Sequence, residues 1–389
     1  MREGSEIVEI GKAVYEVRKP ELCNIYREFT NGEGRITTLG LTARDKGHQR
    51  ILVGTSTGRV YIHDPFGEVS EWNQEHEEYN IMYKDEERRS ITSLGGYKAS
   101  NWDTKEMEYF VFVQVRTYGV MIFRDYSDSP PRMYKGKLKC FIPIREVDSD
   151  HYGFCPVRAY ERTLYIPTSD PMLFILKDQS RSSANLENKG APMCMDLLSD
   201  CPVIGAEDGT VAIYSYNASR ADGSLKLSVM EKIFDSPVFS IIVYELFNPS
   251  IIAGSVGHPI KVLDTKTLAI KQEIPFPASA RACGALCYTW FSPKEDKKFF
   301  IGGFWDGSIR IYRQQKDGSF VEKNVIESQQ VDGDRKSTTS LVWMIKDELY
   351  SACEDGNLYS YEIMKTRKLN KEETEEYLRM KEESNKKGE

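Results

Sequence analysis

Short apolar runs recur along the chain, each followed by a tight turn and a second run in which apolar and polar residues alternate. The clearest cases are Ile51-Leu52-Val53 turning at Gly54-Thr55-Ser56-Thr57-Gly58 into Val60-Tyr61-Ile62, Val203-Ile204 turning at Glu207-Asp208-Gly209 into Val211-Ala212-Ile213, and Phe299-Phe300-Ile301 turning at Trp305-Asp306-Gly307 into Ile309-Arg310-Ile311. A period of two with glycine at the turn is the signature of a β-hairpin. Asp-Gly turns have a physical cause, because tight hairpins need positive φ values that side chains resist. A repeat of hairpins implies units that cannot bury their apolar faces alone, so the whole chain is expected to form one closed body. The predicted fold is all-β: a seven-bladed β-propeller closed by an N-terminal strand and followed by a charged C-terminal tail.

Each unit pairs a leading strand with a hairpin. The predicted leading strands open at Ile36, Ile91, Phe154, Met193, Val238, Ala285 and Ser340, and the hairpins cover 51–64, 109–123, 163–176, 202–214, 251–264, 299–312 and 348–361. The third unit is the least regular, with Phe154-Cys155-Pro156-Val157 as its leading strand and Ser169-Asp170-Pro171 in place of a glycine turn. Turn glycines at 209, 257, 307 and 356 lie 48, 50 and 49 residues apart, close to the period of a four-stranded blade. Residues 1–34 offer three alternating segments, 6–10, 13–17 and 24–29, one of which is expected to complete the last blade as its outer strand. The propeller itself is placed at 35–362. Within it, residues 65–90 read as one long acidic connection, and long loops are either functional or mobile. Residues 363–389 carry mixed charge, with Asn370 and Glu373 spaced like a capping box, and read as a surface helix or a disordered tail.

Charge narrows the class of partner. The net charge is −7 and basic residues are scattered, which gives no electrostatic footprint for a nucleic-acid backbone or an anionic membrane. Apolar runs are far shorter than the roughly 20 residues a membrane helix needs, and Met1-Arg2-Glu3-Gly4-Ser5-Glu6 has no hydrophobic signal core, so an intracellular protein is expected. Eight cysteines without a CxxC pair fit reduced, buried thiols, Cys283 and Cys287 included.

Catalytic patterns are sparse. Gly54-Thr55-Ser56-Thr57-Gly58 matches the nucleophile-elbow expression G-x-S-x-G, but the returning strand after it replaces the helix an elbow requires. The five histidines show no metal-ligand spacing, and no phosphate-cradling glycine loop precedes a helix, so neither a metal nor a cofactor is predicted. The turns of a propeller gather on one rim, which brings Asp170, Glu207, Asp208, Asp306, Glu354 and Asp355 to a common face. There they either attract a basic partner, stand as paired acids for catalysis, or hydrogen-bond their own turns. Phe304 and Trp305, beside Asp306, are either exposed anchors or a blade-to-blade contact. Tyr118 and His258, also at turns, complete the candidate protein-binding set.

The repeat resembles a degenerate WD40 propeller, whose usual Trp-Asp is reduced here to His63-Asp64 or Leu263-Asp264. From about residue 150 to 362 the chain resembles one family, that of the animal G-protein β-subunit-like protein one and the fungal ASTRA-associated WD40 protein. The carriers are Gly153-Phe154-Cys155, Ala191-Pro192-Met193-Cys194, Glu207-Asp208-Gly209, Ser236-Pro237-Val238 and Trp305-Asp306 followed by Ile309-Arg310-Ile311. The resemblance implies a non-enzymatic scaffold, monomeric within a larger complex, in nucleus and cytoplasm. It would work with the TTT co-chaperone and RuvB-like ATPases in maturing phosphatidylinositol-kinase-related kinases, a role tied to chromatin and DNA-damage signalling. Two other readings remain at this stage: a propeller hydrolase similar to the diphthine methylesterase, with a site assembled from several blades, and a WD40 adaptor of another complex. A G-protein β subunit would need an N-terminal heptad helix, which Pro20 and the strand-like alternation of residues 1–34 argue against.

Overall fold

Alternation and tight turns produce seven four-stranded antiparallel sheets among the described residues. The computed structural model describes residues 6–10, 13–17, 21–26, 34–43, 49–64, 81–100, 106–126, 132–134, 137–149, 153–168, 171–177, 180–186, 190–216, 225–244, 249–291, 297–327, 337–344, 348–363, 366–368 and 370–387. Blade one runs Ile36–Leu41, Ile51–Thr55, Arg59–His63 and Ile81–Lys84 from the centre outward. Blade two is Ile91–Ser100, Met107–Val115, Gly119–Asp125 and Phe141–Asp148, and blade three Arg158–Tyr160, Thr163–Pro167, Met172–Lys177 and Ser180–Asn185. Blade four comprises Pro192–Leu198, Cys201–Ala206, Thr210–Tyr216 and Leu225–Lys232; blade five Val238–Tyr244, Ser250–Ser255, Ile260–Asp264 and Ile270–Ile274. Blade six is Cys283–Phe291, Lys297–Phe304, Ile309–Gln314 and Phe320–Ile326.

Blade seven takes Thr338–Met344, Glu348–Cys353 and Leu358–Glu362 from the C-terminal end of the repeat, and its outer strand, Glu21–Tyr26, from the N-terminal end. Tyr26 pairs with Leu358 and Glu21 with Glu362, so both ends of the repeat meet in one sheet. The closing strand thus overlaps the third of the three sequence candidates. The other two, Glu6–Ile10 and Ala13–Val17, form a hairpin outside the ring whose second strand pairs with Thr366–Lys368. Beyond it lies the helix Lys371–Lys387. Asn370 Oδ1 accepts the Glu373 amide and Glu373 Oε2 accepts the Asn370 amide, both at 2.9 Å, which is the reciprocal cap anticipated from their spacing.

The core lies between blades rather than within them. Seven clusters of buried apolar side chains are found among the described residues, and each joins two neighbouring blades. The cluster of Ile36, Val53 and Tyr61 with Tyr350, Ala352 and Leu358 closes the ring between blades seven and one. Among the described residues no blade therefore carries a core of its own, as the repeat implied.

Inner strands share a local device. In blades one, two, four, five, six and seven the register skips a residue near the start of the inner strand, leaving Thr37, Thr92, Met193, Phe239, Gly284 and Thr339 as bulges. Nearby donors then tie four of these blades to the next. Thr339 Oγ1 donates to Ile36 O at 3.1 Å, Thr37 Oγ1 to Ile91 O at 2.5 Å, Cys194 Sγ to Val238 O at 3.2 Å and Ser240 Oγ to Cys283 O at 2.7 Å.

Two sequence expectations change. Blade three's ladder starts at Arg158, after Phe154–Val157, because Pro156 has no N–H to donate. The Gln114 side chain of blade two takes up the slack, donating to Cys155 O at 3.3 Å and accepting from Val157 N at 3.2 Å. Residues 65–90 are likewise not one loop. They contain blade one's outer strand, Ile81–Lys84, and residues 85–90 lead back into blade two. The acidic stretch 65–80 lies outside the described residues. WD-position aspartates also find local work: Asp64 pairs with Arg50 at 3.3 Å, and Asp264 accepts the amides of Lys266 and Thr267.

Candidate protein-interaction face

Strand direction alternates across each blade, so the turn between its second and third strands falls on the same face as the connection to the next blade. Backbone hydrogen bonds join the two sets. Ser56 N donates to Arg35 O, Arg116 N to Ser90 O, Glu207 N to Ala191 O, Trp305 N to Ala282 O, Gly257 N to Arg281 O and Glu354 N to Ser337 O, at 2.8–3.2 Å. The turns and connections of these six blades therefore share one face, the turn face. Asp64 and Ile81, the described residues on either side of the acidic stretch, stand at the opposite end of blade one.

Turn chemistry absorbs the carboxylates that share this face. Asp208 Oδ1 accepts the Thr210 amide at 3.0 Å and its hydroxyl at 2.6 Å, and Asp306 Oδ1 does the same for Ser308 at 2.9 and 2.6 Å. Asp355 accepts the Asn357 amide at 2.9 Å, its side-chain amide at 3.0 Å, and the Tyr359 hydroxyl. These three aspartates hold hairpins in shape rather than facing a substrate as paired acids. Glycines complete the same turns: Gly209 has φ +86°, and a Cβ there would stand 2.0 Å from Phe234 O. Glu207 is exposed, and Glu354 pairs with Arg35 at 3.4 Å across the closure of the ring. Asp170 lies outside the described residues.

Adjacent aromatics in the blade-six turn separate completely. Phe304 is 0 % exposed, packed edge-to-face on Phe276 at 5.0 Å with the Arg310 guanidinium 5.5 Å from its ring centre. It belongs to the core between blades five and six and is unavailable to a partner. Trp305 is 36 % exposed. Its edge-to-face partner is Phe239, 5.5 Å away, the bulge residue of blade five. A Cβ on Gly284, the bulge of blade six, would come within 2.6 Å of Trp305 Nε1, so only glycine leaves room for the indole in this position.

Tyr118 and His258 are half-buried. The Arg89 guanidinium sits 4.0 Å over the Tyr118 ring and is held there by Asp85, which accepts the Arg89 amide at 2.7 Å, Nε at 3.1 Å and Nη2 at 2.7 Å. Burial pushes the Asp85 carboxyl upward, but the Arg89 hydrogen bonds outweigh it and hold the group below the usual carboxylate range. A hydrogen bond to Glu146, aided by burial, pushes the Tyr118 hydroxyl upward. His258 packs edge-to-face on Phe234 at 5.6 Å.

The G-x-S-x-G segment is a strand–turn–strand, and Ser56 Oγ accepts the Arg35 amide at 3.0 Å. Among the described residues no group of three or more His, Cys, Asp or Glu side chains is placed to hold a metal ion. Burial pushes the Cys194 and Cys283 thiols up to about 12. No helix of the described residues is long and apolar enough to cross a membrane.

Three exposed or half-exposed residues of this face were not singled out as contacts from the sequence. Phe154 is 63 % exposed, with the Arg116 guanidinium 5.2 Å from its ring centre. Phe239 was visible only as the second residue of a predicted strand. Arg281, in the connection between blades five and six, carried no sequence signal at all.

No family model matches the chain, and no curated protein matches it. Among solved structures it is similar to the WD40 β-propeller domain of Doa1, at 11 % identity and a TM-score of 0.55, covering 88 % of this chain and 96 % of that one. It is also similar to the computationally designed Ika8 protein, at 14 % identity and a TM-score of 0.49, covering 85 % and 96 %. The first likeness, together with the seven blades and the sheet in which both ends of the repeat meet, shows that this chain has the fold of a seven-bladed β-propeller like that of WD40 domains.

Proposed function

We propose that the chain is a non-enzymatic scaffold that binds proteins through its turn face, centred on Trp305. The observation that carries this reading is the contrast within that face. The hairpin aspartates are satisfied by their own turns, while Trp305 stands partly exposed against Phe239 over a glycine that leaves room for it. Tryptophan is among the residue types that dominate interface energetics.

The finer reading is a kinase-assembly scaffold in nucleus and cytoplasm, acting with the TTT co-chaperone and RuvB-like ATPases on phosphatidylinositol-kinase-related kinases. Its support is the family resemblance, three of whose five motifs, Gly153-Phe154-Cys155, Ala191-Pro192-Met193-Cys194 and Ser236-Pro237-Val238, lie at the entries to blades three, four and five. Affinity purification of the tagged protein from its own cells, followed by mass spectrometry, tests it. Recovery of TTT subunits, RuvB-like ATPases or a large related kinase is expected. A γ-like subunit, or no stable partner, sinks the assembly reading.

A further inference from the structure

Arg281 is held in a conformation that L-residues avoid. Its φ of 58° and ψ of −52° describe a γ-turn of the rarer hand, closed by the Ala282 amide donating to Ala280 O at 2.6 Å. Neighbouring blades enforce it: Gly257 N donates to Arg281 O at 2.8 Å, Trp305 N donates to Ala282 O at 3.2 Å, and Val256 and Ala282 form a bridge. Four tethers hold one exposed arginine on the turn face, next to the carbonyl that anchors Trp305. Among the described residues its guanidinium has no hydrogen-bond or ion-pair partner. Strain of this kind persists only where surrounding structure imposes it, and it concentrates at binding sites.

We propose that Arg281, Trp305 and Phe239 form a docking site for a partner-protein segment that carries a single carboxylate beside an apolar side chain, in which the carboxylate pairs with the guanidinium and the apolar side chain packs on the indole. The proposal rests on the turn-face reading above and names the chemistry of its partner. A planar guanidinium with free donors matches a carboxylate in two parallel hydrogen bonds, and the aromatic pair supplies the apolar contact such a bond needs to exclude water. Nucleic acid fits poorly. Glu207, Asp235 and Glu354 stand exposed on the same face and repel a chain of phosphates, whereas a single carboxylate meets one unpaired cation.

The test selects short random peptides displayed on phage against the full chain and measures the binding of the recovered peptides to variants. Enrichment of Asp or Glu next to a bulky apolar residue is expected. Affinity should fall about thirtyfold in Trp305→Ala and at least about tenfold in Arg281→Gly, and be largely kept in Arg281→Lys. Arg281→Gly also guards against trivial unfolding, since glycine adopts this φ and ψ without strain and the variant should melt at or above the wild-type temperature. Basic or uncharged peptides that still depend on Trp305, or acidic ones indifferent to Arg281→Gly, overturn the carboxylate site while leaving the turn-face reading standing. Peptides lost instead in Lys316→Glu, in the blade-six turn on the opposite face, overturn both. Failure to select any peptide, or tighter binding of a labelled single-stranded oligonucleotide through Arg281 and Trp305, also overturns the proposal.

Discussion

Phe304 and Trp305 are adjacent in sequence and opposite in role, and substituting each by alanine separates stability from binding. Phe304 is 0 % exposed, in a cluster with Phe300, Tyr312 and Phe320 of its own blade and Ile252, Ile260 and Val262 of blade five. Truncation there loses the transfer energy of the ring and leaves a cavity that neighbouring sheets cannot close, so Phe304→Ala should cost about 3–5 kcal/mol. At roughly 2 °C per kcal/mol for a large domain, the melting temperature falls by about 6–10 °C. Trp305 is about one-third exposed and opens to water, so its removal leaves no sealed cavity. Loss of its buried portion costs about 1–2 kcal/mol. Calorimetric melts and urea unfolding at constant m-value measure both. Equal losses, or a greater loss for Trp305→Ala, refute the assignment of Phe304 to the inter-blade core and Trp305 to the surface.

Other outcomes follow from the same structure. Gly209→Ala should destabilise by about 2 kcal/mol or more, since φ is +86° and the added Cβ meets Phe234 O at 2.0 Å; urea midpoints check it. Deleting residues 1–26 should bare the Leu358–Glu362 edge of blade seven and produce aggregates detectable by light scattering, because an unpaired strand recruits another. Asp85 has a folded-state pKa below its unfolded value, so its stabilising contribution is complete above the ordinary carboxylate range and is lost as pH falls through the folded value. Asp85→Asn should flatten the fall in stability measured below about pH 4.

Blade number and hairpin positions were legible in the chain because period-two alternation and turn glycines answer to local physics. Closure was legible only as three segments, since 6–10, 13–17 and 24–29 alternate alike; pairing with Leu358–Glu362, remote in sequence, selects among them. Blade three misled because Pro156 sits in an apolar run yet cannot join a ladder, and a glutamine side chain from the preceding blade replaces the missing bonds. At the candidate site, the Asp-Gly turns announced their own satisfaction, whereas Phe304 and Trp305 could not be told apart without knowing which blade each faces. Arg281 was invisible, because a γ-turn imposed by two neighbouring turns has no local signature.

The central claim is that partners meet the turn face around Trp305. Quantitative pull-down from the protein's own cells, comparing wild type, Trp305→Ala and Lys316→Glu at matched levels of folded protein, tests it most directly. The account predicts that the co-purifying proteins fall sharply with Trp305→Ala and persist with Lys316→Glu, which lies on the opposite face of the same blade. Partners that persist with Trp305→Ala and vanish with Lys316→Glu would contradict it.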